Sequence, residues 1–402
     1  MTRSPENLPA PLSGLRVIEL GSYVAAPLGG MTLAQLGADV IRVDPPGGAP
    51  DVLRWPLAPS GVSLYWTGLN KAKRSVVLDL RSEPGRAALA DLVASGGPGG
   101  GIVITNAGNR AGQRYEELRE RRPDLVYVEV TGAADGRPAV DYTVNASAGF
   151  PLVTGPEEGR TPVNHVLPAW DVACGLYTSV AVLAAVRERE QTGRGQHVQI
   201  SLEDVALATA GNLGYLAEAE LHGIDRPRIG NAVYGTYAHA FATADGAYLM
   251  VVALTARHWN DLVHLTGTGK AVRAIQDALG VDFSVEDDRY RHHRLLDALL
   301  EPWFAGRGVA EAEAALASSS VLWSRFRSFR EIVTAGRDQL LANPVFGLLD
   351  QPGVGTHVAP GSPLRFDGRG GGPRPAPRLG EHTDEVLAEV TGRTAPPPAG
   401  RG

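Results

Sequence analysis

The stretch that decides the fold runs from Leu15 to Asp44 and reads LRVIELGSYVAAPLGGMTLAQLGADVIRVD. Its first six residues form an apolar run with β-branched side chains, which is typical of a buried strand in a parallel sheet. A turn containing Gly21 and a helical stretch follow, and DVIRVD gives a second strand that stops at the prolines and glycines after Asp44. The order strand, helix, strand predicts a crossover unit of a parallel sheet.

The same alternation recurs along residues 15–135. RSVVLDL precedes the helical EPGRAALADLVAS, GIVITN precedes RYEELRERRP, and DLVYVEVTG supplies a further strand. This alternation predicts an α/β fold with an open, mostly parallel sheet. From 172 to about 190 the chain is apolar on nearly every face of a helix, so we expect that helix to be buried. We expect a large domain over 1–220, a smaller mixed α/β domain over 226–320, and a return to the large domain over 325–402 with a disordered C-terminal tail.

Composition and charge narrow the class of protein. The chain has 402 residues, 44% of them apolar and 20% charged, which is ordinary for a globular protein. A formal charge of −6 without a basic cluster argues against nucleic acid and membrane surfaces as partners. The single cysteine, Cys174, fits a reducing cytoplasm. MTRSPENLPAPLSG lacks the apolar centre of a secretion signal, and the apolar stretch near 172–186 is too short and mixed to span a bilayer. We therefore expect a soluble cytoplasmic protein.

The first turn leaves a dinucleotide-binding alternative open. The second predicted strand ends at Asp44, roughly where an acidic residue binds the ribose of NAD in a dinucleotide-binding fold. The turn itself reads GSYVAAPLGG and is not the G-x-G-x-x-G fingerprint. The ten histidines show no metal-binding spacing, so no metal site is expected.

Two polar segments indicate a phosphate-bearing ligand. Asn70, Lys71, Lys73 and Arg74 cluster before a predicted strand, and Asn106 and Arg114 flank the loop after GIVIT. Ligands of open α/β sheets bind at the carboxyl ends of the strands, where such loops lie. For the lysine-rich segment taken alone, a solvated basic turn without a ligand is the commoner case.

The segment PAWDVACG, residues 168–175, places one carboxylate at the start of the long apolar helix. Asp171 is a favourable N-cap residue, and a cap without chemistry is the commoner case. The alternative is a nucleophile, because helix-start N–H groups would keep an aimed carboxylate ionised. Cys174 lies on the same first turn. We expect it to be buried and inert, since the sequence identifies no base that would make it a catalytic thiol.

Four segments together resemble the class III coenzyme A transferases, the CaiB/BaiF family. They are PLSGLRVIELGSYVAAPLGGMTLAQLGADVIRVDPPGG, GLNKAKRSVVLDLRSEPGRAALADLV, GRGQHVQISLEDVALA and RLGEHTDEVL. The resemblance implies a Rossmann-like large domain built from both chain ends, a small domain from the middle, and an interlocked homodimer. It also implies an acyl-CoA substrate, with coenzyme A as part of that substrate and no tightly bound cofactor.

The resemblance assigns roles to residues. Asp171 falls on the family's nucleophilic aspartate, Tyr23 and Val24 on the first turn of the CoA site, Lys73 on a lysine motif, and Asn106 and Arg114 on a CoA-contacting loop. The expected CoA-binding set comprises Tyr23, Val24, Asp44, Asn70, Lys73, Arg74, Asn106 and Arg114.

Arg54-Trp-Pro56 and VNHVLPAWD, residues 163–171, resemble a branch that moves CoA from C1 to C4 of one mesaconate molecule. That reaction would proceed through an aspartyl anhydride and an aspartyl-CoA thioester, with backbone N–H groups at the helix start stabilising the oxyanions. Val140 stands where family racemases carry a histidine, and RPRIGNAVYGTYAHAF lacks the glycine run of intermolecular formyl and oxalyl transferases.

One side chain must hold the mesaconate carboxylate that does not carry CoA, here called the idle carboxylate. The candidates are Arg54, His165, Arg228 and His239. The alternatives are an intermolecular CoA transferase, a nicotinamide-dependent dehydrogenase and a non-catalytic acyl-CoA-binding protein.

Overall fold

A computed structural model describes residues 10–108, 110–368 and 370–392. Contacts divide these residues into two compact units. The first comprises the described parts of Met1–Ala148, His165–Leu216 and Arg337–Gly402, and the second comprises Gly149–Asn164 and Ala217–Gly336. The domain limits expected from the sequence stay predictions, and the expected disordered tail beyond residue 392 lies outside the described residues.

The first unit is built on a six-stranded parallel sheet with the order β3-β2-β1-β4-β5-β6. The strands are β1 (Arg16–Leu20), β2 (Asp39–Asp44), β3 (Arg74–Val77), β4 (Ile102–Thr105), β5 (Val126–Thr131) and β6 (Gln196–Ser201). This is the doubly wound order, in which the chain changes direction across the sheet between β1 and β4. The antiparallel pair β10 (Phe346–Gln351) and β11 (Gly355–Pro360) also belongs to this unit. The predicted α/β class with a parallel sheet is confirmed.

The helices lie between or after the strands along the chain, in both units. In chain order they are α1 (Ala25–Gln35), α2 (Leu64–Leu69), α3 (Glu83–Ala94), α4 (Tyr115–Arg121), α5 (Asp141–Ser147), α6 (Phe150–Val153), α7 (Ala169–Thr192), α8 (Leu202–Asn212), α9 (Tyr215–His222), α10 (Ala256–Thr266), α11 (Gly269–Leu279), α12 (Glu286–Arg291), α13 (His293–Ala305), α14 (Val309–Ala317), α15 (Phe329–Val333), α16 (Arg337–Ala342) and α17 (Thr383–Thr391). Short 3₁₀ helices lie at Pro50–Leu53 and Gly97–Gly99.

Both faces of the parallel sheet are buried. Val17 of β1 packs in the apolar cluster that includes Leu33 of α1 and Val182 of α7. Its neighbour Ile18 packs in the opposite cluster with Leu89 of α3. Successive strand residues point to opposite faces, so an apolar run such as LRVIEL fills two cores at once.

The second unit contains an antiparallel sheet, β7-β8-β9, with strands β7 (Tyr237–Ala242), β8 (Tyr248–Ala253) and β9 (Leu322–Arg325). Its core combines Phe241 and Val251 of the sheet with Trp259 of α10 and Phe304 of α13. The second unit thus combines helices with a small antiparallel sheet.

Helix α7 departs from the sequence prediction in two ways. It was expected to be buried because it is apolar on nearly every face, yet Leu176, Tyr177 and Val180 are 50%, 55% and 59% exposed. Its other side packs against α1, β5 and β6. It is also 24 residues long and, by length and composition alone, apolar enough to cross a membrane, so the expectation that it is too short is wrong. Long apolar helices in the cores of soluble proteins have the same length and composition. In α7, 44% of the apolar part is buried inside the protein.

A buried ionic cluster lies between the sheet and α1. The Lys73 ammonium lies 2.9 and 2.8 Å from the two carboxylate oxygens of Glu19, and it also donates to the Pro27 carbonyl and to Asn70 Oδ1. Burial raises the pKa of Glu19 although Lys73 and Arg42 oppose that rise, and burial lowers the pKa of Lys73 to about 8 although Glu19 opposes it. Gly30 makes room for this pair, because a Cβ there would lie 1.8 Å from Glu19 Oε2.

We predict that Lys73→Met destabilises the protein by about 3–5 kcal/mol, because it leaves Glu19 buried without its closest partner. Urea unfolding measures the loss. Lys270→Met, which removes an exposed lysine, is the matched control and should change stability by less than about 0.5 kcal/mol. The double variant Glu19→Gln/Lys73→Met should recover part of the loss. Equal stability of Lys73→Met and the wild type would contradict the role given to the pair.

Candidate active site

A cavity of about 660 Å³ opens at the carboxyl ends of β1, β2 and β4 in the first unit. Its lining is mainly apolar, with three arginines, and comprises Leu20, Gly21, Ser22, Tyr23, Val43, Asp44, Pro45, Pro46, Ala49, Pro50, Asp79, Leu80, Arg81, Arg86, Asn106, Ala107, Arg110, Ala111 and Gln113. The position is the one that ligands take in doubly wound sheets, beside the point where the strand order reverses.

The first turn is held to the end of β4 by Asn106. Its Oδ1 accepts the Ser22 N–H at 3.0 Å, and its Nδ2 donates to the Ser22 carbonyl at 2.8 Å. Tyr23 has a φ of 64°, which is strained for a non-glycine residue, and its N–H donates to Asp51 at 3.0 Å. Val24 is buried directly behind this turn. Of the expected CoA-binding residues, the structure brings Tyr23, Asp44 and Asn106 to the cavity.

The other expected CoA-binding residues lie elsewhere in the first unit. Asn70 and Lys73 are buried in the ionic cluster and do not line the cavity. Arg74 begins β3 at the amino ends of the strands, the opposite edge of the sheet, where it binds Asp39 and residues of α17. Arg114 is exposed at the start of α4 and pairs with Glu117. The sequence did not single out Arg81, Arg86 and Arg110, which supply the positive charge of the cavity instead.

Asp171 lies in the first turn of α7 but does not cap it. The N-cap residue is Pro168, and the cap acceptor is Asp141, whose Oδ2 accepts the N–H groups of Trp170 at 2.7 Å and Asp171 at 3.1 Å. The other oxygen of Asp141 lies 2.7 Å from His165 Nε2. The predicted cap at Asp171 is therefore wrong, because a carboxylate from α5 takes these donors.

The charge balance at Asp171 also differs from the prediction. Burial and the negative charge of Asp141 raise the pKa of Asp171 to about 6, and Arg54 opposes that rise. The helix start does not hold this carboxylate strongly ionised, since its free N–H groups already serve Asp141. A carboxylate with this pKa is ionised at neutral pH and more basic than an ordinary aspartate.

Arg54 and Tyr65 are the further neighbours of Asp171. The Arg54 guanidinium lies 5.6 Å from the Tyr23 ring centroid and 5.1 Å from that of Tyr65. Burial raises the pKa of Tyr65 to about 12; Arg54 opposes the rise, and Asp171 adds to it. Ser63 orders this corner, because its hydroxyl donates to the Arg54 carbonyl and accepts the Trp66 N–H.

The remaining candidate residues fall in both units. His165 joins the Asp171 neighbourhood through Asp141. Arg228 and His239 belong to the second unit, where Arg228 donates to main-chain carbonyls and His239 pairs with Asp297. Burial and the Asp171 charge raise the pKa of the Cys174 thiol to about 12. Cys174 is therefore unsuited to act as a catalytic nucleophile, because that role requires the thiolate. Among the described residues, no cluster of three or more histidine, cysteine, aspartate or glutamate side chains is placed to hold a metal ion.

The model of CoA-transferase family III matches residues 12–383. The chain belongs to this family. It is 47% identical over 383 residues to 2-methylfumaryl-CoA isomerase of Chloroflexus aurantiacus, and the alignment covers 95% of this chain and 94% of that one. It is 30% identical to succinate–glutarate CoA-transferase of Agrobacterium fabrum, over 99% of this chain and 100% of that one.

A solved CaiB/BaiF family protein from Brucella suis aligns with a TM-score of 0.79 and 27% identity, covering 95% of this chain and 100% of that one. The predicted resemblance to class III CoA transferases is confirmed, and the chain is an enzyme of that class. Membership of CoA-transferase family III gives no support to the alternative that the protein is a nicotinamide-dependent dehydrogenase. CoA thioesters are the substrates of the family, which agrees with the expected acyl-CoA substrate.

Asp171→Asn should stabilise the protein, and the gain should depend on pH. The folded state binds the Asp171 proton more tightly than the unfolded chain does, so ionisation of the group costs stability. The cost is absent below the ordinary pKa of 3.8, grows as the pH rises, and is complete above about 6. We expect a gain of about 3 kcal/mol at pH 8 and about half of that at pH 5.

Urea unfolding of both proteins at the two pH values measures this gain. Asp225→Asn replaces an exposed aspartate and is the matched control, for which no such gain is expected. A gain in Asp171→Asn that is the same at pH 5 and pH 8, or a loss of stability at pH 8, would contradict the raised pKa.

Proposed function

We propose that the protein transfers coenzyme A from the C1 to the C4 carboxyl of mesaconate within one molecule. The observation that carries the proposal is the half-buried Asp171 carboxylate of a family III CoA transferase. Burial and the charge of Asp141 raise its pKa to about 6, and the charge of Arg54 opposes the rise. The 47% identity to 2-methylfumaryl-CoA isomerase supports this substrate, because 2-methylfumarate is mesaconate.

The first half of the reaction uses Asp171 as a nucleophile. Its carboxylate oxygen attacks the C1 thioester carbonyl, the C–S bond breaks, and CoA leaves as a thiolate. The product is a mixed anhydride between Asp171 and mesaconate. The thiolate then attacks the aspartyl carbonyl, which gives an aspartyl-CoA thioester and a free mesaconate carboxylate. A carboxylate with a raised pKa is a better nucleophile for the first step, and it is still ionised at neutral pH.

The second half reverses these steps at the other end of the acid. The C4 carboxylate attacks the aspartyl thioester and expels the thiolate, and the thiolate attacks the C4 carbonyl of the new anhydride. Asp171 is released as a carboxylate, so no atom is gained or lost. Retention of the acid keeps both fragments at high effective concentration, which can lower the activation barrier by about 7–11 kcal/mol.

The geometry changes which groups stabilise charge in this scheme. The N–H groups of Trp170 and Asp171 are bonded to Asp141, so they are not free to stabilise a tetrahedral oxyanion. Arg54 is the cation whose charge acts on Asp171, and Tyr65 is a hydroxyl group whose own pKa the Asp171 charge raises. We assign to Arg54 and Tyr65 the stabilisation of the tetrahedral oxyanion or the binding of the idle carboxylate. His165 would position Asp141, with which it is in hydrogen-bond contact. Arg228 and His239 belong to the second unit, and this scheme gives them no contact with the acid.

The CoA moiety is assigned to the cavity at the carboxyl ends of the strands. Tyr23, Asp44 and Asn106 would shape its wall. Arg81, Arg86 and Arg110 offer positive charge for phosphate groups in the same cavity. Asn70 and Lys73 would act indirectly by holding the strand ends, and Val24 by filling the space behind the turn.

Incubation of mesaconyl-C1-CoA with isotopically labelled free mesaconate separates intramolecular from intermolecular transfer. We expect the C4-CoA product to contain little label, because the acid does not leave between the two halves. Labelled succinate in a parallel incubation should likewise give no succinyl-CoA. Product label that reaches the fraction present in the free pool would contradict the proposal. It would favour an intermolecular transferase, an activity that the Agrobacterium fabrum relative's name states for that protein.

We further propose that two copies of the chain form a homodimer, as the family resemblance implies. The support is the apolar face of α7, where Leu176, Tyr177 and Val180 are about half exposed, together with exposed leucines on α8 and α9. Analytical ultracentrifugation should give twice the 42.4 kDa chain mass, and Leu176→Glu/Val180→Glu should reduce association. A wild-type mass of one chain at micromolar concentration would contradict the dimer.

A further inference from the structure

A second cavity, of about 470 Å³, lies within the second unit. It is lined by Leu152, Glu157, Gly159, Arg160, Arg226, Pro227, Arg228 and Arg294. Four arginines and one glutamate give this lining a formal charge of +3, whereas the whole chain carries −6. Positive charge is therefore concentrated at this cavity against the sign of the protein. None of its lining residues lines the cavity assigned to CoA.

Arg228 gives the cavity a fixed wall. Its Nε donates to the Leu152 carbonyl at 2.9 Å, and its Nη1 donates to the Thr161 carbonyl at 2.7 Å. Gly159 lies against the same guanidinium, because a Cβ there would be 3.2 Å from Nη1. These contacts hold the loop of residues 152–161 in place around a charge that carbonyl groups do not neutralise. The fixed guanidinium therefore leaves a positive field in the cavity.

The other three arginines differ in how they are engaged. Arg226 lies 4.3 Å from the Tyr234 ring centroid and pairs with Glu218. Arg294 pairs with Glu157 through Nε at 2.9 Å. Arg160 is exposed, and within the described part of the chain it makes no hydrogen bond or ion pair. Arg160 can therefore bind a ligand without breaking an existing contact, and Arg294 can exchange its single carboxylate partner.

We propose that this cavity binds a small anion that carries two or more oxyanion charges, either a polyphosphate or a dicarboxylate. Arginine stays protonated and its planar fork matches both carboxylate and phosphate groups, so the shared chemistry is bidentate oxyanion recognition. The volume falls within the range of small-ligand sites. Glu218 and Glu157 pair with Arg226 and Arg294, so Arg160 and Arg228 supply two positive charges without a carboxylate partner among the described residues. Two such charges favour a multiply charged anion over a monovalent one. The site adds a second ligand to the protein and does not depend on the chemistry of Asp171.

Isothermal titration calorimetry tests the proposal with inorganic pyrophosphate in one arm and succinate in the other. Free CoA is left out, because its own phosphate groups would compete for this cavity. We expect at least one anion to bind the wild-type protein with a dissociation constant below about 1 mM. Arg160→Ala should weaken that binding by about tenfold, because it removes an exposed charge without breaking an internal contact. Arg291→Ala, the matched control, removes another exposed arginine of the second unit and should bind as the wild type does.

The two arms distinguish the two classes of anion. Binding of pyrophosphate alone indicates a polyphosphate ligand, and binding of succinate alone indicates a dicarboxylate ligand. Arg294→Ala should also weaken binding, and Asp171→Ala should leave it unchanged, which separates this site from the proposed transfer reaction. Absence of binding in both arms at about 5 mM, or binding that Arg160→Ala leaves unchanged, would overturn the proposal.

Discussion

The buried ionic cluster around Arg42 is the constraint on which the first unit depends. Its guanidinium donates to Asp44 at the end of β2 and to Asp51 in the short 3₁₀ helix, and Lys73 pairs with Glu19 of β1 beside it. Asp51 also accepts the N–H of Tyr23, which offsets the strain of its left-handed backbone. One set of charges thereby fixes the ends of two strands, the first turn and the segment that leads to Arg54. These charges must stay paired because their side chains are almost entirely buried.

A second carboxylate sets the chemistry of the proposed site. Asp141 caps α7 from a separate helix, and in doing so it brings its negative charge close to Asp171. Capping and pKa control are therefore one arrangement, since the group that satisfies the helix start also makes Asp171 more basic. Arg54 opposes this effect from the other side and keeps Asp171 ionised at neutral pH. The balance of the two charges suits a nucleophile that must attack a thioester and later leave.

Local patterns in the sequence were sufficient for the fold of the first unit. LRVIEL, DVIRVD and GIVIT became neighbouring strands because apolar runs and crossovers carry that information locally. The site was predicted less well. Asp141 is 30 residues from Asp171 in the chain, and no local pattern shows that it takes the helix N–H groups. The lysine-rich segment 70–74 predicted a phosphate contact, yet Lys73 is buried against Glu19, because tertiary packing determines where a charged side chain lies. The exposed face of α7 was missed because apolar composition does not distinguish a core from an interface.

Mass spectrometry of the protein during turnover tests the central claim, that the Asp171 carboxylate becomes covalently acylated. The protein is incubated with mesaconyl-CoA, trapped with hydroxylamine and digested, with Asp171→Ala treated in parallel. The account predicts a hydroxamate on the peptide that contains Asp171, formed only in the wild-type protein and only with substrate. Trapping at another residue, or full transfer activity in Asp171→Ala, would contradict it.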